Sequence, residues 1–234
     1  MKSSIYINPN TPNDILNQLS SLCPKLTLIQ VESFNPKDYV GLYFENNILS
    51  YYHFSYGHFK VDFDGILRDF RRQNIGRKEL IAKAVGSCPN IVDASFGTGR
   101  DSLTLSHLGY HLEAIENNPI VFLIAKFHLN NPHINLHLGN SFEWIRNQLI
   151  KESVIYFDPM FRPEKRKSLP KKNMQIFEDL INDEPEFDSV TISEIVKLDL
   201  VKRVVIKRPK KGALLLDNPH HQIIGKTVRF DVYM

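Results

Sequence analysis

Only two of the 234 residues are cysteine and one is tryptophan. Cys23 and Cys88 lie far apart and outside any C-x-x-C pair, so neither a disulfide framework nor a cysteine zinc site is available, and no metal is expected. Both thiols are expected to stay reduced. No run approaches the eighteen or so consecutive apolar residues of a membrane span. The opening residues MKSSIYINPNTPN lack an apolar h-region, which speaks against secretion and for a cytoplasmic protein. A dominant charge is missing too. Lys and Arg number 29 against 26 Asp and Glu, a net +3 that does not by itself single out nucleic acid as partner. There is no internal repeat and no low-complexity tract.

What remains is an ordinary globular composition, 42% apolar and 24% charged. Its length suits one domain with a modest extension. Residues 1–65 are dense in Asn, Pro and aromatics, with nine aromatic residues between Tyr39 and Phe63. Leu42–Phe44 and Ile48–Tyr52 read as strands around an Asn-Asn turn. Two readings stand for this run: a small sheet packing its own core, or an exposed platform on which bases stack. Residues 1–65 are therefore taken as an aromatic-rich β subdomain and residues 66–234 as a second domain.

In the second domain strand and helix patterns alternate. Lys78–Val85 is helical and ends at Gly86. Strands are expected at Asn90–Ala94, His111–Ile115, Ile134–Leu138, Val154–Phe157 and Arg203–Ile206. Helices are expected at Arg100–Leu108, from Pro119 to about Asn130, at Ser141–Leu149 and near Asn173–Ile181, and a hairpin at Gln222–Tyr233. Asn118 followed by Pro119 is a strong helix start. Such alternation predicts an α/β fold, a mostly parallel sheet with helices on both faces, and ligands at the carboxyl ends of its strands.

The residues just after each strand carry the chemistry. Asp93-Ala94-Ser95-Phe96-Gly97-Thr98-Gly99-Arg100-Asp101 places two of only 11 glycines before a helix, where backbone can approach a ligand and helix N–H groups are open. Glu116 ends the next strand, where a carboxylate can accept both hydroxyls of a ribose. Loop and acid together have the spacing of a nucleoside-cofactor site. A dinucleotide site wants a third glycine, but Ser102 stands there, and Asp101 puts a carboxylate at the helix start that would repel pyrophosphate. A phosphate-free cofactor with a cationic end fits better, so S-adenosylmethionine (SAM) is favoured over NAD(P). Asn140 and Ser141 follow the third strand and suit either the cofactor's adenine edge or a helix N-cap.

The fourth strand runs into Asp158-Pro159-Met160-Phe161. This resembles the Asp/Asn-Pro-Pro-aromatic motif of enzymes that methylate exocyclic amines of nucleobases. Such an amine is a poor nucleophile because its lone pair is conjugated with the ring. A carboxylate (Asp158) and a backbone carbonyl (Pro159) accepting its two N–H bonds favour a pyramidal nitrogen aimed at the methyl group. An aromatic ring (Phe161) stacks on the extruded base.

Positive charge is segregated. Residues 68–78, 162–172 and 202–211 carry net +4, +5 and +6, leaving −12 for the rest of the chain. Two of these segments follow strands four and five, which points to phosphate contacts beside the base-reading turn. The acidic stretch 178–188 is expected on a solvent face away from RNA.

Taken together the chain resembles the bacterial ribosomal RNA small subunit methyltransferase J family. The resemblance covers about residues 57–234. It rests on Val61-Asp62-Phe63 with Arg71-Arg72, Ala82–Gly86, Val92-Asp93-Ala94 with Gly97-x-Gly99-Arg100-Asp101, and Glu116-x-Asn118-Pro119. It continues through Asp158–Phe161, whose Met160 is the family's own residue, then Lys165-x-Lys167-Ser168 with Lys171-Lys172, Lys202–Pro209 and Arg229-Phe230-Asp231-x-Tyr233. It implies a class I SAM-dependent (Rossmann-like) methyltransferase acting on guanine N2 in 16S rRNA, at position 1516 in the usual rRNA numbering. It implies cofactor contacts at Arg100, Asp101, Glu116, Asn117, Asn140, Ser141 and Asp158, to which the reading of the glycine loop adds Asp93, Gly97 and Gly99. RNA contacts are expected at Arg71, Arg72, Arg162, Lys165, Lys167, Lys171, Lys172, Lys207 and Arg208. The expected partner is 16S rRNA or the 30S subunit. This chain departs from the family at Asn117, where the family often has Arg, and residues 1–56 match poorly. Two rivals stand beside this reading: another nucleobase amino-methyltransferase, on DNA adenine or a different RNA base, and a non-catalytic RNA-binding assembly factor on the same fold.

Overall fold

The computed structural model describes residues 4–7, 9, 11–22, 24, 27–31, 41–45, 47–53, 55, 57–74, 76, 78–159, 172–180 and 188–234. In chain order the elements are β1 (Ser4–Ile7), α1 (Asn13–Leu22), β2 (Thr27–Gln30), β3 (Gly41–Glu45), β4 (Ile48–His53), β5 (Gly57–Phe59), α2 (Phe63–Gln73), α3 (Leu80–Val85), β6 (Asn90–Asp93) and α4 (Arg100–His107). There follow β7 (His111–Glu116), α5 (Pro119–His128), β8 (Ile134–Leu138), α6 (Ser141–Gln148), β9 (Ser153–Phe157), α7 (Lys172–Leu180), α8 (Ser189–Val196), β10 (Val201–Pro209), β11 (His221–Ile224) and β12 (Val228–Tyr233). The strand–helix alternation expected from residue 78 onward is present, and its strand ends agree within a residue or two up to β9. The expected fifth strand is longer, and so carries Lys207 on β10.

The chain divides into two compact units, residues 1–62 with 118–129 and 165–184, and residues 63–117 with 130–164 and 185–234. In the first, β3, β4 and β5 form an antiparallel sheet, and β1 pairs in parallel with β2. Strand alternation sends Leu42, Phe44, Leu49 and Phe59 to a buried face, while Tyr43, Tyr52 and His58 cluster on the opposite side. Helices α5 and α7 belong to this unit and supply rings to that buried face. Phe127 meets Phe44 edge-on at 5.8 Å, and Phe177 stacks on Phe59 at 5.6 Å. Asn118 caps α5 by accepting from the Ile120 and Val121 N–H groups, with Pro119 at the first helical position as the sequence predicts.

The second unit holds a seven-stranded sheet in the order β11-β12-β10-β9-β6-β7-β8. The five strands from β10 to β8 are mutually parallel, and β12 runs antiparallel to β10 and β11. β9, fully buried along its length, is a continuous apolar run, as a central parallel strand must be when both faces are covered. On one face Val92, Ile155, Phe157, Val204 and Ile206 pack against Ile145 of α6 and Ile192 and Ile195 of α8. The other face, which carries Tyr156 and Lys207, is covered by α3 and α4. Strand order reverses between β6 and β9, and the crevice of such a sheet opens at the carboxyl ends of those two strands.

Candidate active site

The two loops that matter leave paired strands. Val92 and Asp93 of β6 lie opposite Ile155 and Tyr156 of β9, so residues 94–99 and the turn at Asp158-Pro159 emerge side by side. They are tied directly: the Asp158 N–H donates to Ser95 Oγ at 2.6 Å, and the Ala94 N–H donates to the Tyr156 carbonyl at 2.9 Å.

Asp93 organises the glycine loop from beneath. It is 1% exposed and accepts from the Ser95 N–H at 3.0 Å and the Ser102 hydroxyl at 2.6 Å. Burial pushes its carboxyl up to about 7, against the opposing pull of those hydrogen bonds. Ser102, at the place of a dinucleotide site's third glycine, thus anchors α4 to the end of β6. Gly97 and Gly99 both take left-handed conformations, φ 56° and 72°. A Cβ on Gly99 would lie 2.5 Å from the Phe96 ring and 3.0 Å from that of Phe63, so aromatic packing beneath the loop requires this glycine. The Gly97 N–H donates to Glu116 Oε2 at 2.9 Å, placing the second strand's terminal carboxylate, only 4% exposed, against the loop. The Glu116 carbonyl in turn accepts from the Gly139 N–H at 3.0 Å, which brings the end of β8 to the same edge.

Four side chains meet above this loop. Lys207 Nζ donates to Asp101 Oδ2 at 2.6 Å and to Asp158 Oδ2 at 2.8 Å, and the Tyr156 hydroxyl donates to the same Asp101 oxygen at 2.5 Å. Register accounts for the meeting. Ile206 of β10 lies opposite Phe157 of β9, so Lys207 is carried next to Asp158, on the α4 face it shares with Tyr156. Burial raises the Asp158 carboxyl to about 6, the Lys207 charge pulls it down, and neighbouring Asp101 pushes it up. One edge of this carboxyl stays open, with the side chain 39% exposed. Lys207 is driven well above the ordinary lysine value because its two carboxylate partners outweigh its burial. Tyr156 is held protonated by its burial and by the carboxylates around it.

The expected site residues divide accordingly. Asp93, Gly97, Gly99, Asp101, Glu116 and Asp158 are gathered at one crevice. Pro159 follows on the same turn, half-buried. Arg100 is exposed, its guanidinium 5.9 Å from the Phe70 ring centroid, and Asn117 is exposed just past β7. Asn140 caps α6 by accepting from the Phe142 and Glu143 N–H groups, and Ser141 is buried beside it, so the capping reading describes its present bonds. Arg71 and Arg72 stand exposed on the last turn of α2. Phe161, Arg162, Lys165, Lys167 and Lys171 lie outside the described residues, and Lys172 opens α7. Two residues expected to hold RNA are otherwise engaged: Lys207 by the two carboxylates, and Arg208, 6% exposed, by the Ala213 carbonyl at 3.1 Å. Sequence reasoning missed Tyr156 and the inward role of Lys207. The available signal was strand alternation, since both fall on the parity of Asp93, a polar group on an otherwise apolar face.

Among the described residues no group of three or more His, Cys, Asp or Glu is placed to hold a metal ion. Nor is any helix among them long and apolar enough to cross a membrane. The donor set fits SAM. Two carboxylates and a phenol share one ammonium, so the crevice carries surplus negative charge, which suits a cationic, phosphate-free group and opposes a pyrophosphate.

Comparison with known proteins agrees. A family model described as "Putative SAM-dependent methyltransferase" matches residues 22–234. The chain is 36% identical over 191 residues to the ribosomal RNA small subunit methyltransferase J of Hahella chejuensis, covering 74% of this chain and 71% of that protein. It is 38% identical over 192 residues to the protein of the same name from Neisseria meningitidis serogroup B, covering 74% and 75%. A crystal structure of a SAM-dependent methyltransferase from Neisseria gonorrhoeae superposes with a TM-score of 0.71 at 29% identity, covering 99% of this chain and 95% of that one. Fold and site thus define a class I SAM-dependent methyltransferase. Within that class the chain belongs to the ribosomal RNA small subunit methyltransferase J family.

Proposed function

We propose that the protein methylates the exocyclic N2 of one guanine in 16S rRNA, position 1516 in the usual rRNA numbering, in the cytoplasm. The observation that carries this reading is the 2.6 Å bond from the Asp158 N–H to Ser95 Oγ, which fastens the amine-orienting turn to the cofactor loop. When bound, SAM supplies an electrophilic methyl group on its sulfonium. Glu116 would hold the ribose hydroxyls, and the 97–99 loop and Asp101 would receive the amino-acid end.

The chain's own contribution is positioning and charge. Asp158 and the Pro159 carbonyl accept the two amine N–H bonds, which frees the nitrogen lone pair for in-line attack. Phe161 is assigned the stacking role by its place in the motif. As the nitrogen becomes cationic, the ionised Asp158 stabilises the charge, and the surplus proton passes to that carboxylate and on to water. Lys207 keeps Asp158 ionised at neutral pH and fixes its orientation. Exposed lysines and arginines at the rim take the phosphates.

The test is transfer of tritium from labelled SAM to 16S rRNA, 30S subunits and duplex DNA, with the modified nucleotide then mapped. Asp158→Ala is expected to abolish transfer while leaving the fold intact by circular dichroism. Wild-type transfer by that variant would remove Asp158 from the reaction. Transfer to DNA, or to another base, would hand the assignment to a different amino-methyltransferase.

A further inference from the structure

Beyond Lys207 the chain makes a short basic turn, and the side chains that hold it are unusually deep. Arg229 is 6% exposed and Asp231 fully buried. They pair through Nε to Oδ1 at 2.8 Å and Nη2 to Oδ2 at 3.1 Å. The rest of the guanidinium gathers backbone. Nη1 donates to the carbonyls of Pro209, Lys210 and Gly212 at 3.3, 3.1 and 2.7 Å, and Nη2 donates to that of Ala213 at 3.4 Å. Arg208 adds a second donor to the Ala213 carbonyl. Gln222 Nε2 donates to Asp231 Oδ1 at 2.6 Å, securing the pair from β11.

Stability alone does not account for this arrangement. A buried ion pair is typically matched or bettered by apolar side chains of similar volume. What the pair visibly does is fix one loop geometry. The negative ends of four peptide dipoles are drawn inward onto a cation, and the side chains of Lys210 and Lys211 are left exposed. A second turn is locked to the first, because the Lys210 N–H donates to the Thr227 carbonyl at 2.9 Å. That turn, between β11 and β12, carries exposed Lys226. Among the described residues none of the three lysines pairs with a carboxylate. The turns sit at the carboxyl end of β10, three residues past the lysine that contacts Asp158. At about 3.3 Å per residue that is about 10 Å away, within reach of the phosphates flanking an extruded nucleotide.

We infer that Lys210, Lys211 and Lys226 form a rigid phosphate-docking platform for the RNA strand on either side of the target base, with Arg229 as its positioning residue. The inference rests on the RNA-methylating reading above. It also moves the phosphate-binding role on this edge from Lys207 and Arg208, whose cations are engaged inside, to lysines that face outward.

The test is equilibrium binding of 16S rRNA between 0.05 and 0.3 M KCl by wild type and by a Lys210→Ala/Lys211→Ala/Lys226→Ala variant. Each lost single-strand phosphate contact lowers the slope of log K against log salt by about 0.7, so three lower it by about 2. At 0.1 M salt the same slope corresponds to about 5-fold per contact, or about 100-fold in all. SAM affinity by calorimetry and kcat at saturating RNA are expected to stay within about twofold of wild type. An unchanged salt slope in the variant overturns the platform while leaving the methylation reading intact. A wild-type protein that binds no rRNA overturns both. For Arg229, a Lys keeps one charge but cannot span four carbonyls. Arg229→Lys should therefore raise KM for RNA without lowering kcat, and adding it to the triple variant should cost little more. Fully additive losses would show that Arg229 does not act through the lysines.

Discussion

Replacing Lys207 by Met should convert a neutral-pH enzyme into an alkaline one. Its ammonium lies 2.6 Å from Asp101 Oδ2 and 2.8 Å from Asp158 Oδ2. An opposite charge at that range lowers a carboxyl pKa by about 1–3 units. Asp158 nonetheless stands at about 6 with Lys207 in place, because burial outweighs the cation. Met keeps the length and apolar stem but removes the charge, so Asp158 should rise to about 7–9. The sign follows from the chemistry. A protonated carboxyl accepts the amine's N–H bond poorly, so activity is lost as pH falls through this pKa. Wild type is expected to show an acid limb near pH 6, and Lys207→Met the same limb moved up by about 1–3 units. At pH 7 the ionised fraction would drop from about nine-tenths to between about a half and a hundredth, with the loss recovered at higher pH. The assay is kcat/KM for SAM against pH with RNA held below its KM, so that ionisations of the free enzyme are read. Lys207→Arg should keep the limb near its wild-type place. A Lys207→Met limb that stays near pH 6, or a loss equal at every pH, would refute the electrostatic account and leave Lys207 a merely spatial role.

Two further outcomes test the loop. Asp93 has a folded pKa of about 7 against 3.8 unperturbed, so between those values the folded state binds the extra proton and stability falls as pH rises. At 1.36 kcal/mol per unit the effect is at most about 4 kcal/mol. Chemical denaturation at pH 4.5 and 7.5 should therefore show wild type losing more stability than Asp93→Asn across that interval, and parallel losses would contradict the burial argument. Gly99→Ala meets both a left-handed φ of 72° and a ring atom at 2.5 Å. It should lower stability by about 2–4 kcal/mol and weaken SAM binding, as melting and calorimetry would show.

Much of this was legible in the sequence, for physical reasons. Central parallel strands such as β9 read as apolar runs, whereas the edge strand β8 reads by alternation of apolar and polar residues. A turn residue at a strand end has few functions, so Gly97, Glu116 and Asp158 stood out. Asn118-Pro119 announced α5 because a side-chain acceptor and a missing N–H suit the same helix end. Other parts depend on pairing at a distance. Lys207 read as one of six basic residues between 202 and 211, and only the register of β10 on β9 turns it inward. Arg208 read as an RNA contact and Arg229 carried no local expectation, because nothing local reveals that the carbonyls of Pro209, Lys210, Gly212 and Ala213 turn in on their guanidinium groups. Elements α1, α2 and α8 and the β1–β2 pair carry no comparable local signal. α2 reads as polar, with Arg68, Arg71 and Arg72 against few buried residues, and its helical character lies in Phe63 and Phe70, which alone are buried.

The bond between Ser95 and Asp158 carries one more consequence. On the proposed reading, the Ser95 hydroxyl that accepts the Asp158 N–H ties the cofactor loop to the amine-orienting turn, so the gap a methyl group must cross is set by the scaffold and not by whatever nucleotide arrives. A protein built this way could change its choice of amine without resetting that gap. Selectivity and reactivity are then separable properties, open to independent drift in descendants of the same chain.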